Sequence, residues 1–149
     1  MDVDERFLAA SNVWRRYGIL FKTLVKNYGF ERALELHLEA RSEVDEKAMK
    51  NFREKKINME DDQFRSFLEN AFNGSGYDSM ASIKNDVVEI KINRCPYYTG
   101  FINAGIEHNA TLAVCGSGCE RRAHNYPMYL GVIEHRESAE GYCVEGFRL

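Results

Sequence analysis

The spacing of apolar residues changes halfway along the chain, and this change constrains the fold more than any other feature. Near the N-terminus, apolar side chains recur alternately three and four residues apart, which draws one stripe along an α-helix. The stripe consists of Phe7, Ala10, Trp14, Tyr17, Phe21, Leu24 and Tyr28. Later, Val88, Ile90 and Ile92 alternate with charged residues, which is the two-residue period of a half-buried strand. Helices followed by strands predict an α+β fold.

The first 73 residues are predicted to be helical. The first stripe predicts a helix from about Asp4 to Tyr28, ended by Gly29 as a left-handed cap. A second stripe begins at Phe30 and reaches Phe52, and it includes two polar residues, His37 and Arg41. These two helices are expected to form an antiparallel hairpin. A third helix is predicted over residues 59–72.

The second half of the chain carries the strand signals and every cysteine. Strands are predicted over residues 77–83, 87–93, 129–136 and 142–149, with a turn at Asn85-Asp86 and a cysteine-bearing helix over residues 109–124. Because these strands lack helical crossovers, we expect a four-stranded, mainly antiparallel sheet with the helices packed on it. No Pro/Gly/Ser-rich linker separates the halves, so residues 1–149 are predicted to form a single domain, with 1–73 helical and 74–149 holding the sheet.

Charge and hydropathy exclude several classes of partner. The net charge is −3 and no long basic run is present, so no nucleic-acid partner is expected. Unbroken apolar runs are only a few residues long, so no membrane partner is expected. The N-terminus is charged and no apolar stretch follows it, which predicts a cytoplasmic protein. In a reducing compartment, four cysteines favour a metal site, a nucleophile or core packing over two disulfides.

The four cysteines are the strongest candidates for chemistry. Cys95 ends the second strand and precedes a proline, which biases it away from helical conformation. Cys115 and Cys119 lie four apart on one helix, so their Cβ atoms are expected roughly 6 Å apart on one face. Cys143 lies in the last strand, where it could face the same pocket. Four thiolates could hold zinc or an iron–sulfur cluster, although the spacing matches neither standard pattern, and plain core packing is the alternative.

A cysteine nucleophile with a nearby base is the competing interpretation. Cys95 and Cys119 are the candidate nucleophiles, and His124 at the end of the cysteine-bearing helix is the candidate base. A histidine at that position also suits the helix dipole, which is the structural alternative. Two further histidines, His108 and His135, lie close to the same helix in sequence.

Other residues are candidates for lining a ligand pocket. Tyr97 and Tyr98 directly follow Cys95, so one or both are expected to form a pocket wall. His37 lies on the apolar stripe of the second helix, where it is either a hydrogen-bonded core residue or a pocket residue. Three glutamates flank the last predicted turn and could supply an oxygen ligand or a general acid–base, namely Glu134, Glu137 and Glu140.

The C-terminal half resembles a known family. The resemblance rests on Arg-Cys-Pro-Tyr-Tyr at residues 94–98, Gly105-Ile106, the cysteine-bearing helix, Glu-Ser-Ala-Glu-Gly at 137–141 and Phe147-Arg148. In this order they resemble the L-2-amino-thiazoline-4-carboxylic acid hydrolase family and, more distantly, vinyl-reductase-type small-molecule-binding domains, some of which hold zinc through cysteines.

The resemblance implies which residues form the site. Cys95 matches the family's Cys-Pro position, and either Cys115 or Cys119 matches its helical cysteine. The chain departs from the family where Glu145 fills the place of the last cysteine, and Cys143 lies two residues earlier, on the same face of a strand.

These observations predict a hydrolase-like enzyme that acts on a C–N bond of a small cyclic amidine or a related small molecule. The alternatives are a non-catalytic sensor or carrier of a small molecule with a cysteine-bound zinc ion, and an iron–sulfur protein. A small-molecule ligand is expected in each of the first two cases. The aromatic stripe of the first helix is larger than one hairpin needs, so a homodimer is also expected.

Overall fold

A computed structural model of the chain describes residues 1–135 and 143–149. In these ranges the elements are α1 (Val3–Tyr28), α2 (Phe30–Asn58), α3 (Asp61–Gly74), β1 (Asp78–Lys84), β2 (Val87–Arg94), α4 (Pro96–Asn103), α5 (His108–Asn125), β3 (Tyr129–His135) and β4 (Cys143–Arg148). Helices packed on an antiparallel sheet confirm the predicted α+β class. None of the described helices is long and apolar enough to cross a membrane.

The N-terminal helices form because their ends are capped and their apolar stripes are continuous. Asp2 accepts a hydrogen bond from the Glu5 backbone, and the Glu5 side chain accepts one from Asp2, which together make a capping box. Gly29 alone separates α1 from α2, and its φ of 82° favours glycine at this sharp reversal. The two helices pack against each other as predicted.

The sheet has the strand order β1-β2-β4-β3, and each neighbouring pair is antiparallel. The predicted hairpin turn between β1 and β2 is confirmed, because Asn85 and Asp86 both adopt left-handed conformations, at φ 50° and 60°. The predicted turn between the last two strands lies outside the described residues, as do Glu137 and Glu140.

The segment after Cys95 forms a helix, α4, which the apolar pattern did not predict. Eight residues are too few to show a periodic stripe, but Pro96 at the first helical position is a usual start. The Cys95 sulfur at the N-cap accepts a hydrogen bond from the Tyr98 backbone. Helix α4 packs closely on α1 at Gly100, where an added Cβ would lie 2.5 Å from the Trp14 Cβ and 2.8 Å from the Ser11 carbonyl oxygen. Glycine is therefore required for this helix contact.

Strand register decides which side chains face the helices. Val88, Ile90 and Ile92 of β2 are buried under them. Their partners in β4 are Phe147, Glu145 and Cys143, in that order, and directly paired residues share a face. An acidic residue and a cysteine are thereby placed on the covered face of the sheet. Buried side chains from both halves of the chain contribute to a common hydrophobic cluster.

Candidate functional site

The four cysteines line one cavity between the helices and the covered face of the sheet. Cys95 caps α4, Cys115 and Cys119 lie on α5, and Cys143 begins β4. The cavity has a volume of about 180 Å³. Of the eight residues predicted for the site, seven line this cavity, namely the four cysteines with His37, Tyr97 and Tyr98. The topology therefore collects residues that are up to about a hundred positions apart in sequence.

The thiols of the cavity are free and protonated at neutral pH. Burial raises the pKa of Cys95 to about 12. It also raises the pKa of Cys115 and Cys143, and neighbouring thiols add to the effect. Burial and Glu145 raise the pKa of Cys119 to about 11, while Tyr129 and Arg122 act in the opposite direction.

The thiols share the cavity without forming a metal centre in their present arrangement. In residues 1–135 and 143–149, no group of three or more His, Cys, Asp or Glu side chains is placed to hold one metal ion. A tetrahedral zinc site would need sulfurs about 2.3 Å from a common point. The zinc and iron–sulfur hypotheses therefore stay predictions, and no step of the chemistry below depends on either group.

One wall of the cavity carries a buried network, called here the ionic cluster and consisting of Asp45, Arg122, Tyr129 and Glu145. Arg122 Nη2 donates to Asp45 Oδ1 at 2.8 Å, and Arg122 Nη1 lies 3.7 Å from Glu145 Oε1. The Tyr129 hydroxyl donates to the same Glu145 oxygen. Burial opposes the charge on Arg122, but Tyr129, Glu145 and Asp45 outweigh it and raise the pKa of this guanidinium. Arg122 therefore keeps its charge although it is buried.

Glu145 is an acidic residue in contact with one of the cysteines. The Cys119 thiol points to Glu145 Oε1 at 3.9 Å, a distance within the longer range of sulfur hydrogen bonds. In sequence, Glu145 stood out only as the residue at the family's cysteine position. The signal that could have identified it is strand alternation, because Cys143, Glu145 and Phe147 must share a face.

A second buried network, called here the aromatic cluster, is held by hydrogen bonds between neutral side chains. It consists of Tyr17, His37 and Tyr97. The Tyr17 hydroxyl lies 2.7 Å from His37 Nδ1, and the Tyr97 hydroxyl lies 3.1 Å from His37 Nε2. His37 is fully buried, and burial together with the nearby Arg41 cation lowers its pKa to about 4. A neutral imidazole has one donor and one acceptor nitrogen, so the two tyrosines satisfy both. His37 is therefore a hydrogen-bonded core residue and a cavity residue at once.

Arg41 of α2 is a cavity residue that the sequence did not identify as functional. Its guanidinium carbon lies 5.7 Å from the centre of the Trp14 ring and 5.6 Å from that of Tyr97. Asp45 Oδ1 is 3.6 Å from Arg41 Nη2. The available signal was the position of a cation on an otherwise apolar helical stripe, between His37 and Val44.

The remaining histidines are placed differently from one another. His124 lines a shallow surface hollow with Ser117 and Glu120, on the side of α5 that faces away from the cysteines. The Tyr98 hydroxyl bonds to His108 Nδ1 at 2.7 Å, and Glu107 occupies the N-cap position of the helix that His108 begins. In the described part of the chain, His37 and His135 are the histidines that line the cavity.

His135 is paired with a cysteine across the sheet. It lies directly opposite Cys143 in the β3–β4 ladder, and both residues line the cavity. Directly opposed residues in antiparallel strands have Cβ atoms about 5 Å apart. His135 is exposed, so it lies at the rim of the cavity.

Two glycines on α5 leave room beside the thiols. Gly116 and Gly118 line the cavity, and a Cβ added at either position would meet nothing within 4 Å. Each glycine costs a helix about 1 kcal/mol relative to alanine. Packing therefore does not require glycine at these two positions. The absence of their side chains leaves space next to the cavity that they line.

Comparisons with known proteins identify no relative of this chain. No protein-family model matches it, and no curated protein and no solved structure matches it either. The hydrolase resemblance, the homodimer and the cytoplasmic location consequently stay predictions. The geometry of the cavity is the observation that bears on function.

Proposed function

We propose that the protein binds a small molecule in the four-cysteine cavity and hydrolyses it as a hydrolase-like enzyme. The observation that carries this proposal is the convergence of four thiols and the buried Glu145 carboxylate on one cavity of about 180 Å³. An apolar cavity of about 150 Å³ is known to hold a benzene-sized molecule. The cavity therefore suits a single small ring with a short substituent.

Glu145 favours a cationic, planar group such as an amidinium. Among the described residues, its contacts with Cys119, Arg122 and Tyr129 all engage Oε1, which leaves Oε2 for a ligand. Amidinium N–H groups donate well to a carboxylate oxygen. A cation bound there would also lower the pKa of the adjacent Cys119 thiol, because an opposite charge favours the thiolate.

Cys119 is the nucleophile in this proposal. Its sulfur adds to the amidine carbon, the bond from that carbon to one nitrogen breaks, and the nitrogen leaves as an amine that carries the thiol proton. Water then adds to the resulting thioimidate carbon, and the sulfur leaves as the thiol. The sum is amidine plus water giving amide plus amine. Cys95 would shape the pocket, since its sulfur accepts a bond from the Tyr98 backbone at 3.4 Å.

The test is turnover of small cyclic amidines, with 2-amino-2-thiazoline compounds as the first probes. Cys119→Ser should lower kcat by about 100-fold or more, because a hydroxyl is a far weaker nucleophile here. Ser117→Ala is the matched control, since Ser117 lies on the same helix but lines the surface hollow. Turnover within about twofold of wild type is expected for the control. Full activity in Cys119→Ser, or no turnover of any cyclic amidine by the wild type, would refute the proposal.

The second candidate function is a sensor or carrier with a cysteine-bound metal, and the shared cavity of the four thiols favours it. It would require the thiols to rotate toward a common centre and to lose their protons. Purification without oxygen, followed by metal analysis and an absorption spectrum, separates zinc from an iron–sulfur cluster. Cys95→Ser should then lower the metal content, and unchanged metal content would argue against this candidate.

A further inference from the structure

The Cys119 thiol is held against the oxygen of a buried carboxylate. Its sulfur donates toward Glu145 Oε1 at 3.9 Å. The Glu145 side chain is 5% exposed, and the residue lies opposite the buried Ile90 in the β2–β4 ladder. Directly paired residues share a face of the sheet, so the register turns this carboxylate toward the helices. Helix α5 presents Cys119 to it from the other side.

Two neighbours fix the position of the accepting oxygen. The Tyr129 hydroxyl donates to Glu145 Oε1, and Arg122 Nη1 lies 3.7 Å from the same atom. Arg122 also donates to Asp45 at 2.8 Å, which ties the pair to α2. A base must lie within hydrogen-bond reach of the proton that it takes, and this oxygen is held there by contacts from three elements.

The four histidines of the chain are placed away from this thiol. His124 lines the surface hollow on the other side of α5, and His108 Nδ1 is bonded to a tyrosine hydroxyl of α4. Both ring nitrogens of His37 bond to tyrosine hydroxyls. His135 lies opposite Cys143 at the rim of the cavity. The carboxylate of Glu145 is therefore the basic group that touches the Cys119 thiol.

We propose that Glu145 takes the proton of the Cys119 thiol and passes it to the nitrogen that leaves. This inference rests on the proposed function and adds a second catalytic residue to it. As the sulfur bonds to the amidine carbon, the S–H bond breaks and its proton moves to Glu145 Oε1. The leaving nitrogen is bonded to that same carbon, so it lies near the same oxygen. When the C–N bond breaks, its electron pair stays on this nitrogen, which takes the proton and restores the Glu145 carboxylate.

Glu145 has two effects on the thiol, and they act in opposite directions. Burial raises the pKa of Cys119 to about 11, and the charge of Glu145 adds to this increase. As a neighbouring charge, Glu145 therefore disfavours the resting thiolate. As a base, it removes the proton while the sulfur reacts. Replacing Glu145 separates the two effects, because the first predicts a more reactive thiol in the variant and the second a less reactive one.

The groups that face Cys119 come from all the elements around it. The charged ones are Arg41 of α2, Arg122 of α5 and Glu145 of β4, and the neutral ones are Tyr129 of β3 and the thiols of Cys95, Cys115 and Cys143. Burial raises the pKa of Tyr129 and of these three thiols, and arginine stays protonated. These neighbours consequently keep one protonation state between pH 6 and 8.

The test measures alkylation of Cys119 by iodoacetamide between pH 6 and 8, a reaction that requires no hydrolysis. Mass spectrometry of peptides locates the label and separates Cys119 from the other thiols. If Glu145 takes the proton, the thiol and the carboxylate react together, so the wild-type rate should be nearly independent of pH. Glu145→Gln can react only through the thiolate, so its rate should rise about tenfold per pH unit and be the lower of the two at pH 6.

Two variants and one isotope measurement serve as controls. Glu120→Gln removes the same charge from the residue next to Cys119 in sequence, but Glu120 is exposed and lines the surface hollow. This variant and His135→Asn should both keep the flat pH profile of the wild type. The wild-type rate should also fall in D2O, because a proton moves as the sulfur reacts. That measurement needs no variant, so it holds even if Glu145→Gln does not fold.

Turnover of cyclic amidines separates this inference from the proposed function. Glu145→Gln should lower kcat by about 10²–10⁴-fold, the usual contribution of general acid–base catalysis. If the wild type shows the flat profile but turns over no cyclic amidine, the proton transfer stands and the proposed hydrolysis fails. If the wild-type rate instead rises tenfold per pH unit, or if Glu145→Gln is alkylated faster at pH 6, Glu145 acts only as a neighbouring charge. Either result overturns the inference even where amidines are hydrolysed.

Discussion

The aromatic cluster and the ionic cluster are two buried polar networks on the same cavity, and they are built on different principles. The aromatic cluster consists of neutral groups, and His37 uses both ring nitrogens on tyrosine hydroxyls. The ionic cluster holds its polar groups through charge, with Arg122 between two carboxylates. In the aromatic cluster both ring nitrogens of His37 are bonded, whereas in the ionic cluster the contacts among residues 1–135 and 143–149 engage Glu145 Oε1 and leave Oε2 open. The difference indicates that the aromatic cluster forms a wall and that the ionic cluster offers groups for chemistry.

The difference also sets how strongly each network should respond to mutation. Removing one partner of a buried charge leaves the other charge uncompensated, which costs about 3–5 kcal/mol. Removing one neutral hydrogen bond costs about 1 kcal/mol. Substitutions in the ionic cluster are therefore expected to cost more stability than substitutions that remove one hydrogen bond of the aromatic cluster.

The largest effect is expected for Arg122→Met. Asp45 and Glu145 would then be buried without their main cation, and the free energy of unfolding should fall by about 3–5 kcal/mol. Urea denaturation at pH 7 measures it. Arg121→Met is the control, since its side chain is exposed. Adding Glu145→Gln to Arg122→Met should recover part of the loss, and a loss below about 1 kcal/mol in the single variant would show that the ionic cluster is not held by charge.

The aromatic cluster should make stability depend on pH through His37. Its pKa is about 4 in the folded protein and 6.5 in the unfolded chain. Above pH 6.5 both states are neutral, so the stability is full; as the pH falls toward 4 only the unfolded chain binds the proton. This should lower the free energy of unfolding by about 3 kcal/mol. His37→Gln should lack this part of the acid sensitivity, as urea titrations between pH 7 and 4 can measure. If the free energy of unfolding fell in parallel for both proteins between pH 7 and 4, His37 would be protonated in the folded protein over this range.

A smaller effect is expected for Tyr97→Phe. The change removes the hydroxyl that bonds to His37 Nε2 and retains the ring, so stability should fall by about 1 kcal/mol. Tyr28→Phe is the control because Tyr28 is exposed. Thermal melting at neutral pH compares the two. If Tyr97→Phe cost as much as Arg122→Met, the contrast between neutral and charged networks would not hold.

The smallest effect, and the one of opposite sign, is expected for Gly118→Ala. A Cβ at this position meets nothing within 4 Å, so helix α5 should gain roughly 0.5–1 kcal/mol of stability. If the cavity binds a ligand, the same methyl group should weaken binding because Gly118 lines it. Denaturation and calorimetry on one sample measure both effects. A variant that is more stable and binds equally well would show that the ligand does not reach α5.

Much of the fold could be predicted because its signals are local. The stripe of α1 and the alternation of β2 each repeat several times within one element, so their boundaries were placed within about two residues. The chemistry of the four cysteines predicts a site, and the structure places all four on one cavity. Helix α4 could not be predicted in the same way, since it is short and depends on the fit of Gly100 against α1.

The sequence by itself determined the α+β class and the order of the main helices and strands. It also identified the cysteines as candidate site residues. Local periodicity and residue chemistry suffice for these, because they involve neighbours along the chain. Only the tertiary structure decided that His124 lies away from the cysteines and that Glu145 and Arg41 lie with them. Arg41 and Glu145 are 104 positions apart, and strand register and helix packing bring them to one cavity. Burial then sets their partners and the pKa values around them, and neither burial nor register can be read from the local pattern.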